Sequence, residues 1–341
     1  MKKRIEWVDI GKYICIMLVM ISHLESDTVI LQKIYHPVYL SFFFFLAGYV
    51  HKQPRSFGEH FIKKLRGLFI PWLIFSNLNI ALSAVISLKE NRNIAGEFLW
   101  NLLQIRGQYD GIWFVAALFV TFIPFYFVIK LDKKKALILT TALVVTAELY
   151  AAFMPKNVFP WNNYTLPWHL EYIPYALLWM VLGYYFKENA EKELDRKNTV
   201  VTRLVAVMIY LAIVYLLPDL KDVRIVHVLI EYGRTAAGIV MLILLCKVAR
   251  SNRYIDYVGA NTIIYFALHG KLYAVLEHVL SAKLSSLYSA CLSNIWLSTL
   301  LAVVIATVMS FILIIPAYLI NRFFPWIIGR KRQISRDDKT V

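Results

Sequence analysis

The sequence contains few residues of the types that build disulfide frameworks or structural metal sites. Only three cysteines occur in 341 residues, and Cys15, Cys246 and Cys291 lie in or beside apolar segments without paired spacing. Neither a disulfide framework nor a zinc site is therefore indicated. The sequence also lacks a His-Glu-x-x-His motif, so we expect no bound metal and no bound cofactor.

A secretory cleavage site is also absent. The chain begins MKKR, and the apolar segment 7–24 that follows is interrupted by Asp9 and Lys12. No small-residue cleavage site follows His23, so we interpret this segment as a retained helix. We detect no internal repeat and no low-complexity linker, and we expect no appended soluble domain. We expect one membrane domain over residues 1–323 and a short basic cytoplasmic tail over 324–341.

Acidic residues are outnumbered by basic ones. The chain has 22 Asp and Glu against 37 Lys and Arg, which gives a net charge of +15. In a soluble protein this charge would suggest nucleic acid, but 59% of the residues are hydrophobic, whereas soluble domains have about 45–50%. Most basic residues fall on alternate loops between apolar runs, which is the positive-inside pattern of membrane proteins. We therefore expect a lipid bilayer and no nucleic acid as partner.

The apolar runs predict an all-α integral membrane protein with about ten transmembrane helices, because a helix needs about 20 residues to cross a bilayer. An even number of spans places both termini in the cytoplasm. Residues 51–66 and the segment near 281–294 are expected to be loops. The predicted spans are 7–24, 35–50, 68–88, 112–130, 136–154, 168–186, 200–217, 226–247, 262–280 and 296–320.

The first span carries ionisable residues where charge is costly, which marks it as a functional candidate. In one helix, Lys12 and His23 are separated by roughly 16 Å of rise and roughly 20° of rotation, so they share a face. Asp9 lies about 40° from His23 by the same arithmetic. A polar stripe therefore runs along this helix.

His23 suits general-base chemistry because a histidine titrates near neutrality. It lies toward the outer end of its span, whereas Lys12 and the basic segment ending at Arg66 lie toward the cytoplasm. This layout fits a donor with an anionic head and a long thin arm, such as acyl-coenzyme A. A proton-relay histidine in a transporter would give the same stripe, so spacing alone leaves both readings open.

Other ionisable residues lie in later apolar runs. Glu231 and Arg234 are three residues apart and can pair on one helix face, either as a structural ion pair or as part of a binding site. Glu148 fits a packing or hydrogen-bonding residue. His269, taken alone, fits a buried core histidine.

Six segments in chain order resemble membrane-bound acyltransferase family 3, and within it the sugar O-acetyltransferases similar to fucose 4-O-acetylase. The first segment has Arg4, Asp9, Lys12 and His23 in the family's order. The others are SFFFFLAGYV at 41–50, FIKKLRGLFIPW at 61–72, GIWFVAALF at 111–119, LLWMVLGYYF at 177–186 and YVGANTIIYFALH at 257–269. Two positions depart from the family pattern, because Lys12 replaces the usual Arg and Ala47 the usual Ser.

The resemblance implies transfer of an acyl group, usually acetyl, from cytosolic acetyl-coenzyme A as co-substrate to a hydroxyl of a cell-surface or lipid-linked carbohydrate. It implies His23 as catalytic base or transient acyl carrier, and it adds Asp9 to the catalytic residues, either to orient the donor end or to balance Lys12. The remaining roles it suggests are donor binding by Lys12, Lys63, Lys64 and Arg66, and acceptor-side positions for Glu231, Arg234, His269 and Trp113.

We therefore expect a multi-pass O-acetyltransferase of the bacterial cytoplasmic membrane, with homo-oligomer formation left open. The alternative is a proton-coupled secondary transporter or flippase of a glycan or small metabolite, with His23 and Glu231 as proton relays. Such transporters often contain inverted repeats, and this sequence contains none that we can detect. A non-catalytic sensor or scaffold is a third reading.

Overall fold

The computed structural model describes residues 5–24, 29–86, 93–107, 111–155, 157–161, 163–218 and 223–330. These residues form an all-α structure without strands. The helices are α1 (Glu6–Ser22), α2 (Val29–Tyr35), α3 (Tyr39–Tyr49), α4 (Phe57–Lys64), α5 (Ile70–Ile86), α6 (Ile94–Leu103), α7 (Trp113–Val128), α8 (Lys133–Phe153), α9 (Ile173–Asn189), α10 (Glu191–Lys197), α11 (Val200–Leu216), α12 (Arg224–Cys246), α13 (Arg253–Ala260), α14 (Thr262–Lys283), α15 (Ser285–Leu292), α16 (Ile295–Ile312) and α17 (Ile314–Phe323).

Within the described residues, five helical stretches are long and apolar enough to cross a bilayer: Phe57–Val85, Lys133–Phe153, Arg224–Cys246, Thr262–Lys283 and Ile295–Phe323. A sixth is added if α10 and α11, which meet at a bend of 106°, form one broken span. The expected count of about ten, and with it the placement of the termini, is not confirmed. Four of the predicted spans correspond to α1, α3, α7 and α9, which are shorter than the roughly 20 residues that a straight span needs.

Two segments that were expected to be loops are helical. Residues 57–69 form α4 and a π-helical segment, Leu65–Phe69, that leads directly into α5. The Ser56 side chain accepts a hydrogen bond from the backbone N–H of Glu59 and thereby caps α4. Because this N-cap satisfies a free N–H of the first turn, the helix begins well before the apolar residues. Residues 285–292 likewise form α15 instead of a loop.

Helices α3 and α9 cross at close range, and the crossing depends on two glycines. A Cβ on Gly48 would lie 1.9 Å from the carbonyl oxygen of Met180, and a Cβ on Gly183 would lie 2.0 Å from that of Phe45. Each glycine therefore faces the backbone of the other helix. Small residues of this kind let membrane helices approach closely without a hydrophobic driving force.

The break between α13 and α14 is fixed by polar contacts. The Asn261 amide donates to the Tyr257 carbonyl, and its oxygen accepts from Asn321 at 2.8 Å and from Arg330 at 3.0 Å. A Cβ on Gly259 would lie 2.5 Å from the Asp9 carbonyl oxygen, so α13 packs directly on the α1 backbone. The Gly-Ala-Asn motif thus sets the position of α14 relative to α1.

Two ends of the helix bundle can be distinguished by their contacts. At the first, which we call the basic end, Lys247 Nζ lies 2.7 Å from a Glu191 carboxylate oxygen that also accepts from the Tyr49 hydroxyl. At the second, the histidine end, Tyr150 donates to the Tyr164 carbonyl at 2.7 Å. Helix α1 runs from the basic end to His23 at the histidine end.

Candidate functional site

Two histidines meet at the histidine end. His23 follows the last turn of α1, and its ring centroid lies 4.9 Å from that of His269 in α14, with the rings inclined at 52°. His269 is buried, whereas His23 is exposed at this end. The pair is the only ring contact between α1 and α14 among the described residues. The site is therefore built from two helices far apart in sequence.

The hydrogen bonds of His269 define which of its ring nitrogens carries the proton. Its Nδ1 lies 2.8 Å from the Phe266 carbonyl oxygen and 3.3 Å from that of Tyr265. Because a carbonyl oxygen only accepts, Nδ1 must carry the proton and donate it. In the neutral ring Nε2 is then left as an acceptor. His269 can accept a hydrogen bond at this atom from a neighbouring group.

A cavity of about 360 Å³ opens beside the two histidines, and we call it the histidine cavity. Its wall includes polar side chains from α5, α6 and α14. Asn101 donates to the Ser76 hydroxyl at 3.0 Å, and Gln104 donates to the Asn101 carbonyl oxygen at 2.7 Å. Further lining residues are Asn79, Ser83, Glu97 and Lys271. Such a wall can hold a polyhydroxylated ligand against the histidines.

A second cavity, the basic cavity, has a volume of about 410 Å³ and opens toward the basic end. Four lysines line it, namely Lys12, Lys52, Lys63 and Lys64. The rest of its wall is largely apolar and includes the rings of Phe43, Phe114 and Phe266. The cavity thus combines positive charge at its entrance with an apolar interior.

His51 adds a neutral polar group to the basic cavity. Burial, together with the positive charges of Lys64, His60 and Lys63, lowers the pKa of His51 to about 3. The ring is therefore uncharged at physiological pH. Its Nε2 is buried and has no hydrogen-bond partner among the residues that the structure describes. The ring can therefore offer a hydrogen bond to a ligand in the cavity.

The two cavities meet at Phe266, which lines both of them. His269 lies one helical turn further along α14, and its Nδ1 binds the Phe266 carbonyl. On the adjacent α7 side, Ile112 lines the histidine cavity and Phe114 the basic cavity. A ligand in the basic cavity can therefore extend toward the histidine pair past a single phenyl ring.

Comparison with known proteins identifies the family of the chain. The family model of the acyltransferase domain matches residues 5–319. The chain belongs to acyltransferase family 3. No curated protein and no solved structure matches it significantly. Membership in acyltransferase family 3, together with several apolar helices, identifies the chain as a multi-pass membrane acyltransferase.

Three of the four residues predicted to bind the donor line the same cavity. Lys12, Lys63 and Lys64 line the basic cavity, and Asp9 lies 3.9 Å from Lys12 Nζ. Asp9 is therefore placed to balance Lys12 and lies away from the histidine cavity. Arg66 is exposed and does not line the basic cavity, and its carbonyl packs against Gly329. Arg4, the first residue of the family motif, lies outside the described residues.

The predicted acceptor-side residues are divided between several places. His269 lines the histidine cavity, whereas Glu231 and Arg234 form an ion pair of 2.5 Å beside other cavities at the histidine end. The Arg234 guanidinium also donates to the Leu217 carbonyl at 2.7 Å. Trp113 contacts the rings of His169 at 5.1 Å and Tyr172 at 5.4 Å. Trp113 thus belongs to an aromatic cluster next to the site.

Sequence reasoning missed several of the lining residues. His51 and Lys52 were assigned to a loop, although both line the basic cavity. The polar residues Ser76, Asn79 and Ser83 recur at helical spacing within an apolar span, and this pattern was a usable signal for an interior-facing stripe. They line the histidine cavity or bond to its wall. Glu97 and Asn101 continue this polar wall from α6.

Proposed function

We propose that the protein transfers an acyl group, most simply acetyl, from acyl-coenzyme A to a hydroxyl group of a carbohydrate. The observation that carries this proposal is the meeting of the basic cavity and the histidine cavity at Phe266. A charged donor and a polar acceptor can then enter separately and react between the cavities.

The basic cavity suits the donor. Coenzyme A has anionic phosphates on a long, thin arm, and lysine ammonium groups form charge-assisted hydrogen bonds to phosphates. Thr262 and Ile263, the first residues of α14, also line the cavity. The N-terminus of a helix carries partial positive charge and free N–H groups, which favour phosphate binding. The apolar interior then accommodates the arm as it extends toward Phe266.

The histidine pair supplies the proton transfer. The acceptor hydroxyl attacks the thioester carbonyl, its proton passes to a ring nitrogen of His23, and a new C–O bond forms. The C–S bond then breaks, and the proton returns to the departing thiolate, which leaves as free coenzyme A. His269 accepts a hydrogen bond at Nε2 and so orients His23 or stabilises its protonated ring.

The placement of charge supports a direction for the reaction. If the basic end faces the cytoplasm, as the positive-inside pattern predicts, the donor enters from the cytosol and the histidine cavity opens at the outer face. The acceptor is then a cell-surface or lipid-linked carbohydrate outside the bacterial cytoplasmic membrane. The acceptor hydroxyl meets a wall of amide, hydroxyl and charged groups that can position it.

The experiment uses purified protein in liposomes with radiolabelled acetyl-coenzyme A and a panel of glycans. We expect acetyl transfer that depends on a hydroxyl acceptor, and its loss in His23→Ala. His278→Ala is the matched control, because His278 is an exposed histidine of α14 outside both cavities. Acetylation that persists undiminished in His23→Ala would contradict the role of His23. Counterflow of an unmodified solute without acetyl transfer would favour a transporter.

A further inference from the structure

A third cavity at the histidine end is lined by a mixture of aromatic, acidic and basic side chains. Its volume is about 520 Å³, within the range of ligand-binding pockets. Four tyrosines line it, Tyr164, Tyr172, Tyr175 and Tyr232, and we therefore call it the tyrosine cavity. Its walls come from the segment after α2, from α8, from the 3-10 helix Pro167–Tyr172 with α9, and from α12.

The charges around the tyrosine cavity nearly balance. Glu148, Glu171 and Glu231 face Arg106 and Arg224, and Arg234 pairs with Glu231. An anionic ligand would meet three carboxylates, and a cationic ligand would meet the guanidinium groups. A neutral polyhydroxylated ligand fits both kinds of group, because each hydroxyl donates one hydrogen bond and accepts others. The tyrosine rings add apolar faces with polar tips, which suit the faces of a sugar ring.

Several polar atoms of the wall are positioned to bind such a ligand. The Tyr232 hydroxyl donates to Glu148 Oε1 at 3.1 Å, which leaves the other carboxylate oxygen of Glu148 available. The Nδ1 of His227 is buried and has no hydrogen-bond partner in the described part of the chain. Buried polar atoms normally have a partner, so an exception is evidence for a group that binds there.

The tyrosine cavity continues into a neighbouring one. A cavity of about 630 Å³ shares His36, Pro37, His227 and Glu231 with it. His227 thus faces the junction of the two. The combined groove is larger than one sugar unit requires, and it is suited to an extended chain.

Contacts also connect the tyrosine cavity to the catalytic pair. The side chain of Tyr39 lies close to that of Ser22, whose hydroxyl donates to the Val19 carbonyl, and Ser22 directly precedes His23. The Tyr39 ring lies 5.7 Å from that of His36, which lines the tyrosine cavity. The two cavities therefore lie on either side of a short chain of contacts. An acceptor long enough to pass Tyr39 would reach both His23 and the tyrosine cavity.

We propose that the tyrosine cavity binds a second, uncharged sugar unit of the acceptor, so that the enzyme prefers an oligosaccharide or polymer to a single sugar. This inference rests on the proposed acyl transfer and specifies its acceptor. The unit that is acylated occupies the histidine cavity, while its neighbour is held by Glu148, Arg224 and the tyrosine rings. The tyrosine cavity contributes to binding of the acceptor and not to the chemical step of acyl transfer.

The test uses fragments of one, two, three and four units, prepared from the glycan that wild-type protein acylates. We expect kcat/KM of the wild type to rise about tenfold from the single unit to a longer fragment, the order that one net hydrogen bond supplies. Glu148→Gln and Arg224→Gln are expected to remove most of this rise by increasing KM for the longer fragment. Their kcat/KM for the single unit and their KM for acyl-coenzyme A should match the wild type.

Glu193→Gln, a change of an exposed glutamate at the basic end, is the control and should behave as wild type. The normal single-unit activity of the two cavity variants shows that they fold. Equal kcat/KM for short and long fragments in the wild type, or an unchanged rise in both cavity variants, would overturn this inference and leave acyl transfer standing. A wild-type protein that acylates no carbohydrate would overturn the proposed function and this inference together.

Discussion

The ring centroids of His23 and His269 lie 4.9 Å apart, and Nδ1 of His269 donates a hydrogen bond to the carbonyl oxygen of Phe266. Phe266 itself lines both the basic cavity and the histidine cavity. One turn of α14 therefore positions both the neighbour of His23 and a ring that lines the two cavities.

His269→Gln is expected to lower kcat about 100-fold, the lower range of acid–base contributions. The amide oxygen of glutamine accepts a hydrogen bond but is far less basic than an imidazole nitrogen, so it stabilises a protonated His23 ring less. KM for acyl-coenzyme A should stay close to the wild-type value, since His269 does not line the basic cavity. Steady-state kinetics of the purified protein measure both constants, with His278→Gln as the control. A wild-type kcat in His269→Gln would exclude this histidine from catalysis.

Lys12→Ala should raise KM for acyl-coenzyme A about tenfold through loss of a charge-assisted contact to phosphate. Lys12→Arg is expected to retain activity, because the guanidinium also binds phosphate. Lys135→Ala provides the comparison, as Lys135 is exposed and paired with Asp132 away from the basic cavity. If KM for the donor does not change in Lys12→Ala, Lys12 has no phosphate-binding role.

Phe266→Ala is expected to change the acyl-chain preference. Removing the phenyl ring joins the two cavities and creates space where the acyl group lies, because a truncated core aromatic leaves a void that neighbours fill only in part. The ratio of kcat/KM for butyryl-coenzyme A to that for acetyl-coenzyme A should therefore increase. Phe323→Ala, a change of an exposed ring at the end of α17, serves as control. An unchanged ratio would mean that Phe266 does not limit the acyl site.

Gly48→Ala should destabilise the protein strongly, because the added methyl group would lie 1.9 Å from the Met180 carbonyl oxygen and force α3 away from α9. Gly233→Ala is the matched control, since no atom lies within 4 Å of a Cβ built there. The temperature of half-unfolding in detergent, followed by fluorescence size-exclusion chromatography, measures the effect. Equal midpoints for the two variants would show that the α3–α9 crossing can relax.

The sequence was sufficient to predict the family and the helix that carries His23. The order of six short motifs identified acyltransferase family 3, and the hydrophobic runs predicted the all-α fold, although α4 and α15 were expected to be loops. The ion pair of Glu231 and Arg234 followed from their spacing of three residues and is confirmed. These features depend on the spacing of residues along the chain, which can be read directly from the sequence.

Two features could not be predicted because they depend on the folded backbone. Arg66 and Lys63 would share a face in a regular α-helix, but the π-helical segment from Leu65 to Phe69 changes the register, and Arg66 does not line the basic cavity. The contact of His269 with His23 depends on the packing of α13 against α1 at Gly259. Neither the π-helical turn nor this packing leaves a periodic pattern in the sequence.

We propose acyl transfer to carbohydrate with His23 as base. Mass spectrometry of surface glycans tests it most directly, in cells that lack the gene and in the same cells complemented with wild type or His23→Ala. We predict that deletion removes a mass increment of about 42 Da, the mass that one acetyl group adds, and that only the wild type restores it. Restoration by His23→Ala, or no change in any acyl group on deletion, would contradict the account.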